Sequence, residues 1–362
     1  MKRLMASDPP AKILIIRLSS IGDVILATPV IRVLKKKFPH SRIDFVIKKQ
    51  LAELVAFHPG INRCYVFDRQ QNWRSLREIK QDIKRTQYDL IVDLHKNIRS
   101  YFLTIGSRCH KIVRYRKDAI TRFLYVKLRL VQFNKNKMPL HQRYLKALAP
   151  YHVQDDGEGL EIFWDHQKTQ PMVEKLAPAL DKDQSVIVGI APGASFATKR
   201  WLPEGFAEVI RYLRQHRTAR IMLFGNQQDH EIASELVQLD RKAIVDTTGQ
   251  CSLLETAALM QCCDLILTND SGLMHLAAAL KKKVVAIFGS TTEELGFFPY
   301  TTEHIVVQNR YLSCRPCSHV GRNRCPQKHF KCMKEITPEQ VIEAVETMLD
   351  SSHAIARPAT DE

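Results

Sequence analysis

The sequence predicts an α/β protein of two successive domains, each built on a doubly wound parallel sheet. Three observations lead there. Short apolar runs rich in β-branched residues recur along the chain, such as KILIIR at 12–17, SVIVGIA at 185–191 and DLILT at 264–268. Continuous runs of this kind read as strands buried on both faces. Segments of helical periodicity alternate with them, so successive strands are joined by crossovers and lie parallel. The alternation stops in a polar, acidic, Gly-containing stretch at 153–165 and then restarts. A chain of 362 residues also favours two domains on length alone.

The first domain is expected over 11–165. It opens with the strand 12–17, a turn at 19–23 and a helix over 24–38, with Pro29 early and Pro39 just past its end. A strand at 43–47, a short helix at 51–57 and a strand at 64–67 follow, then an amphipathic helix at 73–86 and a buried strand at 88–93. The second domain is expected over 183–335. Its strands fall at 185–191, 219–224, near Ile244, at 264–268 and 284–288, and its helices at 203–215, 231–239, 252–261 and 273–280. A last helix within 336–350 is expected to pack back on the first domain, and the tail beyond Ser351 reads as disordered. Two such halves leave a cleft, and open parallel sheets bind ligands beyond the carboxyl ends of their strands.

Composition narrows the partners. No apolar run approaches the roughly 20 residues that span a bilayer, and the first ten residues are polar with no secretory core. The expected location is the cytoplasm, with the nine cysteines reduced by default. A net charge of +16 favours acidic partners: nucleic acid, an anionic lipid surface or phosphorylated substrates. The excess is dense around Arg108, Lys111, Arg114, Arg116, Lys117, Arg122, Lys127 and Arg129. No zinc-finger or RNA-binding signature accompanies it, which disfavours nucleic acid. A solvated basic surface explains the same residues equally well.

Five groups of residues sit at strand ends or carry metal-ligand chemistry. In Arg17-Leu18-Ser19-Ser20-Ile21-Gly22-Asp23, the glycine permits a tight turn and Asp23 opens a helix. Its carboxylate is either a general base for an incoming hydroxyl or a helix cap. In Asn269-Asp270-Ser271-Gly272-Leu273-Met274-His275, a strand end leads into a helix whose free N–H groups suit an anion. A simple cap reads the same way. Ala191-Pro192-Gly193-Ala194-Ser195 with Lys199 close behind suits a diphosphate, Lys199 neutralising charge on a departing group. Asp229 follows the glycine turn at Gly225, where an acid binds ribose hydroxyls in dinucleotide folds or caps a helix. Cys314-x-x-Cys317, with Cys325 and Cys332, suits a structural Zn or Fe site or four free thiols. No G-x-G-x-x-G, Walker or nucleophile-elbow motif is present, which argues against dehydrogenase, NTPase and α/β-hydrolase chemistry.

Three of these segments together resemble glycosyltransferase family 9, the lipopolysaccharide heptosyltransferases: KILIIRLSSIGDVILATPVIRVLKKKFP, YDLIVDLHKNIRS and DLILTNDSGLMHLAAALKKKVVAIFGSTT. The resemblance runs from about Lys12 to Leu349. It implies a GT-B fold, two Rossmann-like domains facing across a cleft, and inverting transfer of heptose from ADP-heptose to a Kdo or heptose hydroxyl of the lipid-A-linked inner core. By the same resemblance Asp23 is the base and Lys199 supports the leaving diphosphate. Ser195, Asp229, Asp270, Ser271, Gly272 and His275 bind the donor, and catalysis needs no metal cofactor. Ala194 lacks the side-chain hydroxyl that relatives often offer to phosphate. Lys96, Arg99 and Arg116 are the candidates for holding anions of the acceptor at the inner face of a membrane. Two alternatives share the fold: a heptosyltransferase acting on a protein acceptor, kept open by the four cysteines, and a non-catalytic ADP-sugar-binding protein.

Overall fold

A computed structural model describes residues 9–71, 73–129, 131, 133, 136, 138–176 and 186–351. The tail expected to be disordered beyond Ser351 lies outside them. The chain forms two α/β units, each with a parallel sheet. One comprises Met1–Ala119 with Met138–Trp164, and the other Ile120–Lys137 with Asp165–Glu362. The segment 120–137, expected with the first domain, thus belongs with the second.

The first unit runs β1 (Lys12–Ile16), α1 (Ile21–Ile25), α2 (Thr28–Lys37), β2 (Arg42–Lys48), α3 (Glu53–Ala56), β3 (Arg63–Phe67), α4 (Trp73–Thr86), β4 (Leu90–Asp93), α5 (Ile98–Thr104) and β5 (Lys111–Arg114). After α6 (Ala119–Phe123), at the border of the units, it resumes with α7 (Leu140–Leu145). Its strand order is β3-β2-β1-β4-β5. The order reverses between β1 and β4, so the turns after these two strands flank the switch point where such sheets bind ligands. The apolar run of β1 is buried from Ile13 to Ile16, as a central parallel strand requires. The single helix expected over 24–38 is instead two. Pro29 has no N–H to give the Ile25 carbonyl, and the Thr28 hydroxyl donates to that carbonyl at 2.8 Å instead.

The second unit continues with α8 (His166–Leu176), β6 (Ile187–Ala191), α9 (Pro203–His216), β7 (Arg220–Leu223), α10 (His230–Val237), β8 (Ile244–Asp246), α11 (Leu253–Cys262), β9 (Leu265–Asn269), α12 (Gly272–Ala279), β10 (Lys283–Ile287), β11 (His304–Val307), α13 (Lys331–Lys334) and α14 (Pro338–Asp350). Its strand order is β11-β10-β9-β6-β7-β8, with a switch point between β6 and β9. The core joins Val188 and Ile190 of β6, Leu265 and Leu267 of β9, and Val209, Ile210 and Leu213 of α9. The final helix is built into the second unit. Val341, Ala344, Val345, Met348 and Leu349 form one apolar stripe, and it is taken up by this second-unit core. Arg217 of the loop after α9 pairs with Glu346 and Asp350, and Lys283 of β10 donates to the Met348 carbonyl at 2.7 Å. These polar contacts fix the helix where its stripe is buried.

Candidate active site

At the first switch point the turn after β1 delivers Asp23 as the third residue of α1. Its Oδ2 accepts from the Ser20 backbone N–H at 3.0 Å and the Ser20 hydroxyl at 2.8 Å. Arg17 Nη2 lies 2.7 Å from the same oxygen. Asp23 is thus the N3 member of a capping box headed by Ser20, while among the described residues Oδ1 meets a long bond from the Tyr144 hydroxyl, at 3.4 Å. Burial alone would raise the Asp23 pKa, but the Arg17 charge and the Ser20 bonds outweigh it and hold the carboxyl below its ordinary range. Arg17 is itself fixed by the Leu94 carbonyl after β4 at 2.5 Å and by the Tyr144 ring, 5.5 Å from its guanidinium carbon.

The turn after β4 supplies a neighbour that the sequence reading did not assign. Asn97 caps α5, its Oδ1 accepting from the N–H groups of Arg99 and Ser100. Its amide nitrogen is left to donate to His95 Nε2 at 2.7 Å. Burial, with Arg17 and Lys117 nearby, pushes the His95 pKa down to about 3. The ring is thus neutral and, with Nε2 accepting, carries its proton on Nδ1. Among the described residues that nitrogen is buried and has no hydrogen-bond partner.

Around this point the strand ends are cationic. Lys48 closes β2, and burial together with Arg69 and Arg99 lowers its pKa. Arg99 sits over the Phe67 ring at 5.8 Å. Lys96 has a left-handed backbone, its N–H bound to Asp93 Oδ1 at 2.7 Å. Arg116 is exposed and pairs with Asp118 at 2.8 Å. Lys48 was not singled out from the sequence. Only the strand order shows that the end of β2 lies beside that of β1.

At the second switch point Asn269 bridges the two strands, donating to the Pro192 carbonyl at 2.7 Å and accepting from the Trp201 N–H at 3.0 Å. This seats the short turn bearing Lys199 beside the end of β9. Lys199 Nζ then lies 2.7 Å from Asp270 Oδ2, and the Thr291 hydroxyl donates to the same oxygen at 2.6 Å. Asp270 is buried, so its charge is held by one cation and one hydroxyl. Thr198 and Ser290 join the turns after β6 and β10 at 2.9 Å. Thr291 and Ser290, which contact Asp270 and Thr198, were passed over by the motif reading, although Gly289-Ser290-Thr291 repeats the glycine turn seen after other strands.

Ser271 precedes α12 without capping it through its side chain, so the first N–H groups of that helix, from Gly272, receive no bond from it. His275 is buried one turn on, its ring 6.4 Å from that of Phe297. Asp229 is buried, its Oδ2 accepting from the Asn226 N–H at 2.9 Å. A methyl group on Gly193 would fall on this carboxylate, so the glycine turn after β6 is what lets Asp229 approach it. Ser195 is exposed on the same turn. The structure thus brings Lys199 and Asp270 into direct contact and sets Asp229 against Gly193.

The four cysteines read as a metal site or free thiols lie near one another: behind burial, Cys317, Cys314 and Cys325 each raise the pKa of Cys332. Among the described residues no three His, Cys, Asp or Glu side chains are grouped to hold a metal ion. Cys314, Cys317, Cys325 and Cys332 stand as free thiols. Cys332 belongs to the apolar core, and burial pushes its thiol up to about 12. Arg315 lies in the same region, near Cys332 and Cys314. Its guanidinium donates to the carbonyls of Phe288 and Thr291 and to Gln308 Oε1, which holds the loop after β10 in place.

Comparison with known proteins gives the arrangement a family. Residues 76–328 match the model of "Glycosyltransferase family 9 (heptosyltransferase)". The chain is 28% identical over 338 residues to lipooligosaccharide heptosyltransferase 2 of Campylobacter jejuni, covering 92% of this chain and 97% of the relative. Among solved structures, the glycosyl transferase family 9 protein of Veillonella parvula superposes with a TM-score of 0.79 at 27% identity, covering 94% of this chain and 98% of that one. The ADP-heptose lps heptosyltransferase II of E. coli shares the fold, with a TM-score of 0.72 at 20% identity and coverage of 94% and 99%. The chain belongs to glycosyltransferase family 9, the heptosyltransferase family, and is a glycosyltransferase with the GT-B fold.

Proposed function

We propose that the protein transfers heptose from ADP-heptose to a hydroxyl of a Kdo or heptose residue in the lipid-A-linked inner core, with inversion at the anomeric carbon. The observation that carries this reading is Lys199. It is an ammonium group fixed by buried Asp270 at 2.7 Å, on a turn neighbouring a helix start that its own Ser271 leaves uncapped. Such a pairing is suited to a diphosphate leaving group. The similarity to the lipooligosaccharide heptosyltransferase of Campylobacter jejuni supports heptose transfer and the acceptor class.

In this reading the second unit holds the donor. Lys199 and the N-terminus of α12 bind the diphosphate, Asp229 the ribose, and Ser195, Ser271 and His275 the remaining polar groups. Asp270 acts through Lys199. The first unit prepares the acceptor. Asp23 Oδ1 takes the proton of the attacking hydroxyl as its oxygen bonds to the anomeric carbon. The bond from that carbon to the β-phosphate oxygen breaks, and its electron pair leaves with ADP. Lys48, Lys96, Arg99 and Arg116 offer cations to the phosphates and carboxylates of a lipid-linked acceptor at a membrane surface.

The test incubates the purified protein with ADP-heptose and a panel of truncated core acceptors. ADP release gives the rate, and NMR of the product gives the anomeric configuration. Turnover on a Kdo- or heptose-terminated acceptor is expected, reduced by about 10²–10⁴-fold in Asp23→Ala with donor binding kept. Equal rates in the two proteins would remove Asp23 from the mechanism. Transfer confined to a polypeptide acceptor would overturn the choice of acceptor.

A further inference from the structure

The helical segment after β5 has two opposite faces. α6 continues directly into a π-helical turn over Leu124–Leu128. The inner side is seated within the second unit. Val126 clusters with Phe133 and Leu295, and Tyr125 and Phe297 pack on them. The Tyr125 hydroxyl lies 3.2 Å from that of Thr292.

The outer side carries Ile120, 78% exposed, Phe123, 54% exposed, and Leu128, 51% exposed. Ile120, Phe123 and Lys127 follow helical i, i+3, i+7 spacing and share a face. Lys127 and Arg129 are exposed beside these apolar groups. Large apolar side chains so exposed on one short helix are an interaction surface rather than incidental exposure.

The first unit repeats this chemistry on a separate element. Ile98, Tyr101 and Ile105 of α5 and its end are exposed at i, i+3, i+7. Arg114 lies 4.7 Å over the Tyr101 ring, and exposed Arg108, His110 and Lys111 follow.

We infer that the outer face of the segment 119–129 docks on an anionic lipid bilayer, with Ile120, Phe123 and Leu128 entering the interface and Lys127 and Arg129 meeting acidic headgroups. The interleaved charge selects this occupant. Apolar groups alone would suit a second copy of the chain, but a chain of net charge +16 repels its own copies and is drawn to a negative surface. An amphipathic helix with cations at its polar margin lies in the plane of such an interface. The inference rests on the proposed lipid-linked acceptor, and it gives the enzyme a way to reach that acceptor. It also places the docking helix on the loop whose Thr291 bonds Asp270, the partner of Lys199.

The test uses the intact protein and co-sedimentation with vesicles, either phosphatidylcholine alone or phosphatidylcholine with one-third phosphatidylglycerol. Binding to the anionic vesicles is expected, little binding to the neutral ones, and weakening of the former as salt rises. A triple variant Ile120→Ser, Phe123→Ser, Leu128→Ser should lose about tenfold or more in vesicle affinity. Its turnover on a water-soluble, delipidated core acceptor should be unchanged, and its turnover on the same acceptor embedded in vesicles should fall to a similar extent. A second variant, Lys127→Glu with Arg129→Glu, should lose the preference for phosphatidylglycerol while keeping its melting temperature. Equal vesicle binding by wild type and both variants overturns the inference. So does a dimer in light scattering that the triple variant abolishes, which assigns the face to a second copy. Vesicle binding without turnover on any acceptor leaves the docking surface standing and overturns the proposed reaction instead.

Discussion

Burial raises the pKa of a carboxylic acid, and the Asp23 carboxyl is partly buried, yet Arg17 and Ser20 hold it below its ordinary value. A general base works in its deprotonated form, so activity is present above that pKa and lost as pH falls through it. With Arg17 in place the acid limb of kcat/KM lies below the ordinary carboxylate range of about 4. Arg17→Met removes the lowering charge and leaves burial opposed by the Ser20 bonds alone, so the limb should move to higher pH. A pH–rate profile that does not move would separate Arg17 from the base. Lys199, partly buried, and buried Asp270 are a pair in which deleting one partner strands the other. Asp270→Ala should destabilise the protein by about 3–5 kcal/mol in urea unfolding. Lys199→Ala should lower kcat by about 10²–10³-fold if the ammonium faces developing charge. A change confined to KM would make it a ground-state donor contact.

Among the elements, the break between α1 and α2 shows how one residue is placed by its neighbours. Thr28 replaces the N–H that Pro29 lacks, and its oxygen also accepts from the Glu161 N–H at 3.2 Å. Thr28→Val should cost about 1–3 kcal/mol of unfolding free energy, since it leaves a buried carbonyl and an N–H without their partner. An unchanged denaturation midpoint would show that water satisfies both groups. Helix α4 was legible in full, because fourteen residues carry a clear amphipathic period. Strands β5 and β11 were not. Each has four residues with incomplete burial and lies at the edge of its sheet. Ladder pairing to β4 and β10 makes them strands, and no local alternation announces them.

Across the whole first unit, the acidic stretch read as a boundary is tied down by charge. Arg32 of α2 pairs with Asp156 at 2.7 Å and Glu161 at 2.7 Å, and His58 meets Glu161 at 2.8 Å. Arg32 bonds first of all hold Asp156 below its usual range, and for Glu161 the bonds from His58 and Arg32 overcome an opposing effect of burial. Carboxylates with depressed folded pKa values contribute stability that is present above their unfolded pKa of about 4. It is lost as pH falls through the folded value. Arg32→Met should therefore shift acid unfolding, followed by circular dichroism, to higher pH and leave stability near pH 7 to 8 reduced but flat. An acid transition at the wild-type pH would show that this cluster does not set it.

The sequence by itself determined every strand but the edge strands β5 and β11, most helices, the restart after 153–165 and the glycine turns at strand ends. These depend on short-range properties: β-branched runs, a 3.6-residue period, and proline and glycine at fixed offsets. Tertiary structure alone decided who meets whom. Lys199 finds Asp270 and Thr291, and Arg17 joins Asp23 to Tyr144 and Leu94, because strand order brings distant turns to one sheet edge. The stripe of α14 could be read, but not the core that buries it. The cysteines could be counted, but the burial of Cys332 in the second-unit core could not be read from them. A periodic pattern specifies that a face is to be covered, and only the folded chain supplies the surface that covers it.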